Sequence, residues 1–156
     1  MNRNVTRSVL GVALAISLLC PLMALAQQAA AKPYHEGPVW EIAFIKTKAG
    51  MEDRYMRYLA EEWKREQEAM KKAGYILDYK VIVTEAHGAQ DFNLMLMTEF
   101  KDFATMEANS DKAEALGQQL FGGQSKIESG YQDRGSYREV IADRLGREVI
   151  LSPKAK

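Results

Sequence analysis

Hydrophobic and polar positions divide the chain into an apolar leader and a patterned body. Val9 to Leu25 is an apolar run interrupted only by Gly11, Ser17 and Pro21. Residues 27–38 are rich in Ala, Gln and Pro and read as a flexible lead-in. Val39 to Lys46 (VWEIAFIK) is β-branched and aromatic, which predicts a strand. Lys48-Ala49-Gly50 turns the chain. From Met51 to Ala73, the side chains of Met51, Tyr55, Leu59, Trp63 and Met70 fall near one stripe, the period of a helix. Glu52 and Asp53 at its start and Lys71 and Lys72 at its end complement the helix dipole. Asp53 with Arg57, Glu61 with Arg65 and Glu68 with Lys72 are spaced for i,i+4 ion pairs. Gly74 supplies a left-handed stop.

Ile76 to Thr84 predicts a second strand, Glu85 to Gln90 a hairpin loop, and Asp91 to Phe100 a third strand. Alternation along the third strand puts Phe92, Leu94, Leu96, Thr98 and Phe100 on one face. Asn93, Met95, Met97 and Glu99 take the other. Asp102 is a candidate cap for a helix carrying Phe103 and Met106, restarting at Asn109 or Ser110 and ending at Gly122-Gly123. Ser125-Lys126-Ile127-Glu128 fits a capping box and opens a further short helix. Ser136 to Ala142 predicts a fourth strand, after which Gly146 turns the chain into a short edge strand, Glu148 to Leu151. This order makes an α+β fold, a ferredoxin-like βαββαβ domain over residues 39–151 with a tail at 152–156. Its four-stranded antiparallel sheet has the order 4-1-3-2, with both helices on one face.

One helical layer covers one face of such a sheet. The other face does not read as a solvent face. Strand one offers either Ile42 and Phe44 or Ala43 and Ile45 outward, and strand three either Phe92, Leu94 and Leu96 or Met95 and Met97. Strands apolar on both sides are covered on both sides, and the simplest cover is a second copy. The expected partner is therefore a homodimer mate, sheet against sheet, in the manner of a dimeric α/β barrel. Coverage by residues 124–135 and the tail is the monomeric alternative.

The leader changes the picture of compartment. Arg3 and Arg7 precede the apolar run, no acid occurs before Glu36, and Ala24-Leu25-Ala26 closes it. Charged start, apolar middle and small-residue end are the parts of a secretory signal, cleaved before Gln27. The run falls short of the roughly 20 residues that span a bilayer. A periplasmic or extracellular protein follows, with no membrane attachment after cleavage. Cys20 is the one cysteine and leaves with the signal, so the mature chain has no disulfide, thiolate metal site or thiol nucleophile. Losing Arg3 and Arg7 leaves the 21 basic side chains two short of the 21 acidic ones. That balance gives no footprint for nucleic acid.

The strand Val39-Trp40-Glu41-Ile42, the charged long helix, the strand Asn93 to Phe100 followed by Lys101-Asp102-Phe103, and the ending Arg147-Glu148-Val149-Ile150-Leu151 resemble the dimeric α/β-barrel superfamily. That superfamily includes antibiotic-biosynthesis monooxygenases and stress-response barrel proteins. The resemblance spans about Trp40 to Leu151 and implies a cleft for a small, often aromatic ligand. It singles out no catalytic subfamily.

Candidate chemistry is sparse. His87, near Glu85 and Asp91, has the makings of a general base, although an exposed loop histidine is the plainer reading. A lone histidine is no metal site, and neither metal nor cofactor is expected. Glu41, Asn93 and Glu99 form a second constellation. If Glu41 and Glu99 share a partly apolar cleft, one carboxyl is pushed toward acid–base duty; the alternative is a structural ion pair with Arg138 or Arg144. The candidate catalytic residues are thus Asn93, Glu99 and His87, and the candidate ligand contacts are Glu41, Trp40, Met95 and Met97. Trp40, Trp63, Tyr55, Tyr58 and Tyr79 read either as an aromatic pocket or as plain core. Two functions follow: an exported protein binding a small apolar or aromatic ligand in a homodimer, or a cofactor-independent monooxygenase acting on an aromatic or quinol substrate.

Overall fold

The computed structural model describes residues 32–88 and 90–152. The expected signal peptide, residues 27–31 of the lead-in and residues 153–156 of the tail lie outside the described residues. The elements follow the order β1 (Tyr34–Thr47), α1 (Glu52–Tyr58), a π-helical turn (Leu59–Trp63), α2 (Lys64–Lys72), β2 (Asp78–Val83), β3 (Leu94–Phe100), α3 (Phe103–Phe121), α4 (Gln124–Gly135) and β4 (Arg138–Leu151). The sheet is antiparallel in the order β2-β3-β1-β4, the ferredoxin-like arrangement expected from the sequence.

Local chemistry sets the boundaries. Gly50, at φ 75°, turns the chain into α1, whose first turn carries Glu52 and Asp53. The helix runs on through the π-helical turn to Ala73, and Gly74 stops it at φ 75°. Asp102 caps α3 by accepting a hydrogen bond from the Thr105 N–H at 2.6 Å. Gly122, at φ 83°, ends α3 in the left-handed conformation. No break occurs at Asn109 or Ser110, so α3 is one continuous helix. Gly123, rather than Ser125, holds the N-cap position of α4, and no side chain caps it.

The edges of the sheet differ most from expectation. β1 begins at Tyr34, because Tyr34, His35 and Glu36 pair with Leu151, Ile150 and Val149. A register shift between Glu36 and Val39 accommodates Gly37 and Pro38. A Cβ on Gly37 would lie 3.1 Å from the Glu148 Cβ, so the close approach of β4 favours glycine there. β4 is a single strand of 14 residues. Gly146 does not turn the chain; it sits in the ladder opposite Trp40, where pairing with β1 overrides its local preference. The expected i,i+4 ion pairs do not form. Cross-element pairs stand instead, Arg54 to Asp133 at 2.8 Å and Lys71 to Asp78 at 2.8 Å, both solvent-exposed.

Register assigns the faces. Val39, Glu41, Ala43, Ile45 and Thr47 of β1 share the helix-covered face with Leu94, Leu96 and Thr98 of β3. Thr98 donates a hydrogen bond from Oγ1 to Gln67 of α2 at 3.2 Å, and Tyr79 of β2 packs edge-on against Trp63 at 5.3 Å. The core cluster is compact: Ile45, Tyr55, Leu59, Leu94 and Tyr137 are all nearly inaccessible. It occupies one end of the helix–sheet interface and leaves the middle open. The opposite face carries Trp40, Ile42, Phe44, Met95 and Met97, all partly exposed, with Ile82 40% exposed. Phe92 packs edge-on against Phe44 at 4.7 Å and so lies with the methionines rather than with Leu94.

Candidate functional site

A cleft of about 680 Å3 opens between the sheet and its helices. Its size lies within the range of small-molecule sites. Ala43, Ile45, Leu96 and Val140 form its sheet-side floor. Its helical wall is aromatic: Tyr55, Tyr58 and Trp63 from the long helix, Phe121 from the end of α3, and Tyr131 from α4. The π-helical turn lies within this wall. Its extra residue per turn re-aims the side chains that follow, a device common at functional sites. A smaller hollow of about 230 Å3 shares Glu41, Gln67 and Thr98 with the cleft, so the Gln67–Thr98 hydrogen bond lies in the boundary between the two.

The charged lining divides evenly. Glu41, Glu62, Glu66 and Asp143 oppose Arg65, Lys126, Arg134 and Arg138. Glu41 touches solvent in the cleft, yet the surrounding protein raises its pKa, and the negative charge of Asp143 raises it further. Burial also raises Glu66, partly offset by Arg134. Tyr55 is pushed up to about 12 by burial, with the Arg138 and Arg134 charges working the other way. Tyr58 is likewise raised, again chiefly by burial. Both phenols are therefore neutral hydrogen-bond donors at physiological pH.

One corner of the cleft is unusual. Arg134 is 8% exposed, and its guanidinium lies over the Tyr58 ring at 4.7 Å and the Tyr131 ring at 4.3 Å. Arg138 lies over the Tyr55 ring at 5.5 Å. Tyr55, in turn, stacks on Tyr58 at 5.8 Å. The Tyr55 hydroxyl and the Nε atoms of Arg134 and Arg138 are buried without any protein hydrogen-bond partner. Each such orphan costs about 1–3 kcal/mol, more where the group is charged. Cation–π contact offsets only part of this. Gly130, one turn before Arg134, leaves room for it: a Cβ there would come within 3.1 Å of the guanidinium Nη1.

The sequence-derived candidates do not assemble. Glu41 lies opposite Thr98 and Glu99 opposite Trp40, so the two carboxylates occupy opposite faces of the sheet. Asn93 does not alternate with Met95. Its amide ties down the end of β1, accepting from the Thr47 N–H at 2.9 Å and donating to the Thr47 hydroxyl at 2.6 Å. His87 is exposed in the loop, where its backbone N–H donates to Asp91 at 3.1 Å. Trp40, Met95 and Met97 sit on the face away from the helices. The Trp40 ring lies beneath Lys80 at 4.6 Å, and its indole N–H donates to Glu148 at 3.2 Å. Among the seven candidates, Glu41 alone lines the cleft. Arg138 neutralises neither carboxylate, and Arg144 donates to the Asp143 carbonyl. Among the described residues no cluster of three His, Cys, Asp or Glu could hold a metal ion, and no helix is long and apolar enough to cross a membrane.

Sequence reasoning missed Arg134, Glu66 and Tyr131. The one signal for the first and third was the run Gly130-Tyr131…Arg134…Tyr137-Arg138, which alternates cations with aromatic rings. Tyr55, Tyr58 and Trp63, read as pocket or core, prove to be both.

Four strands in this order, backed on one face by helices, define a ferredoxin-like α+β protein. Among solved structures, the chain is similar to a nipsnap family protein with unknown function from Agrobacterium tumefaciens, at 12% identity and a TM-score of 0.50, over 76% of this chain and 92% of that one. It is also similar to HapK from Hahella chejuensis (12% identity, TM-score 0.48, 76% of this chain and 99% of that one). A third is a dimeric ferredoxin-like protein from an uncultured marine organism (11%, 0.47, 78% and 94%). At such identity, likeness speaks to the fold alone. No protein-family model matches the chain, and no curated protein matches it.

Proposed function

We propose that the chain is an exported binding protein that takes a small aromatic ligand in the cleft between sheet and helices, and that it acts as a homodimer. The carrying observation is the 680 Å3 cleft, walled by five aromatic rings and floored by aliphatic side chains. A compact core needs no such space beside it, since protein interiors close-pack. Export rests on the leader at residues 1–26, which fits a periplasmic or extracellular destination. The dimer rests on the open sheet face. Ile42, Phe44, Met95 and Met97 are adjacent across the β1–β3 ladder and reach solvent. A contiguous apolar surface of that kind marks an interface, and a second copy covers it with two-fold symmetry.

Thermal-shift measurement against a panel of naphthyl, indolyl and phenolic compounds tests the binding reading. A concentration-dependent rise in melting temperature is expected with at least one bicyclic aromatic. No rise with any of them counts against the cleft as a ligand site.

A second reading, a cofactor-independent monooxygenase for an aromatic or quinol substrate, draws on Glu41. Its raised pKa beside Asp143 suits a base that takes a proton from a bound hydroxyl. Oxygen uptake with a quinol panel, abolished in Glu41→Gln, would support it; uptake equal in protein and buffer would discard it.

A further inference from the structure

The aromatic-ligand reading leaves open what the buried corner of the cleft recognises. We infer that the Tyr55–Arg134–Arg138 corner is an anion subsite, and that the ligand is an aromatic carboxylate whose charged end docks there. This inference rests on the cleft being a ligand site.

Three donors that meet in one corner, from α1, α4 and the start of β4, lack acceptors: the hydroxyl of Tyr55 and the Nε–H groups of Arg134 and Arg138. Arg134 is more than nine-tenths buried, and neither arginine forms an ion pair among the described residues. The acids that line the cleft do not relieve them. Glu66 acts on Arg134 through space only, without a hydrogen bond. Tyr55 cannot supply a phenolate as internal counter-charge, because burial keeps it protonated to about pH 12. The missing counter-charge of Arg134 is therefore one brought in from outside, and the orphaned donors, closed to water in the free protein, reach it as these side chains shift on binding.

The rest of the lining selects the kind of anion. Glu41, Glu62, Glu66 and Asp143 face the same space. Arg65, Lys126, Arg134 and Arg138 balance these four acids, so the lining holds no surplus positive charge for a dianionic phosphate, and a planar monoanion matches the arginine corner. The rings of Tyr58 and Tyr131, already beneath the Arg134 guanidinium, offer aromatic faces beside the anion. Ring and carboxylate thus belong to one molecule.

The test compares 2-naphthoate with its uncharged isostere 2-naphthamide and with 1-naphthyl phosphate, by calorimetric titration of the mature protein, Arg134→Gln and Tyr55→Phe. Charge-assisted hydrogen bonds predict that 2-naphthoate binds about tenfold or more tightly than the amide. The preference should fall below about threefold in both variants, Tyr55→Phe having the same shape as the native residue so that its fold is not in question. Equal affinity for acid and amide, or a preference that survives both substitutions, overturns the anion subsite while leaving aromatic binding intact. Tighter binding of the naphthyl phosphate overturns the choice of a monoanion. Failure of all three to bind at about 1 mM removes the cleft as a ligand site and the subsite with it.

Discussion

Replacing Tyr55 with Phe isolates the cost of one orphaned polar atom. Tyr55 is fully buried in the core cluster, stacked on Tyr58 at 5.8 Å and tilted against Tyr137 at 6.0 Å. Its hydroxyl has no partner in the protein. The substitution keeps the ring and its contacts, removes one oxygen, and returns no hydrogen bond to water that the folded state had retained. An unsatisfied buried hydroxyl costs about 1–3 kcal/mol, and the Arg138 guanidinium 5.5 Å from the ring recovers a fraction of that. Urea unfolding of the ligand-free protein should therefore show Tyr55→Phe more stable by about 1 kcal/mol with an unchanged m-value. Tyr79→Phe is the matched control. Its hydroxyl donates to Glu68 at 2.5 Å near the surface, so its loss should lower stability by less than about 1 kcal/mol. If Tyr55→Phe instead loses about 1 kcal/mol or more, the hydroxyl is satisfied in the free protein and the reasoning for an incoming acceptor fails.

Further expectations concern the core, the glycine beside Arg134, acid–base behaviour and the dimer. Ile45→Ala, at a site 1% exposed, should cost about 2–5 kcal/mol by urea unfolding. Gly130→Ala raises helix propensity in α4 but forces the Arg134 Nη1 to move, so titration should find weaker carboxylate binding in a protein of equal or greater stability. Glu41 and Glu66 hold protons more tightly folded than unfolded, so their contribution to stability is full below pH 4.5 and is lost as pH rises through their native values. The depressed carboxyls of Asp78 and Asp102 act oppositely, their contribution vanishing as pH falls below 3.8. Stability measured by unfolding across the acid range should thus pass through a maximum, and the Glu41→Gln, Glu66→Gln double variant should flatten its high-pH side. Phe44→Asp places a charge in the open apolar face; sedimentation should give a dimer for the native protein and a monomer for the variant.

The sheet was legible because its central strands carry their own evidence. β1 and β3 are apolar on both faces, and the turn and cap residues Gly50, Gly74, Asp102 and Gly122 act through local backbone chemistry that sequence records directly. Pairing over long separations was not legible. Gly146 looks like a turn until it is paired with Trp40 of β1, and the residues after it find partners in the extension of β1 back to Tyr34. The same blindness misplaced the site. Glu41 and Glu99 stand one residue apart in register, and one residue exchanges faces. Asn93 seemed to continue the alternation of β3, but its amide is spent on Thr47 before the strand begins. Arg134 drew no notice because a single arginine on a short polar helix is ordinary. Only the packing of α4 against the cleft buries it among tyrosines, and that packing has no sequence period.

The central claim is that two buried guanidinium edges in this cleft await a carboxylate. Side-chain NMR of the arginine Nε–H groups, with 2-naphthoate titrated into the mature protein, addresses it most directly. The account predicts that the Arg134 and Arg138 signals, assigned by substitution, move downfield together and become protected from exchange as the ligand saturates. Binding that leaves both signals where they were would contradict it.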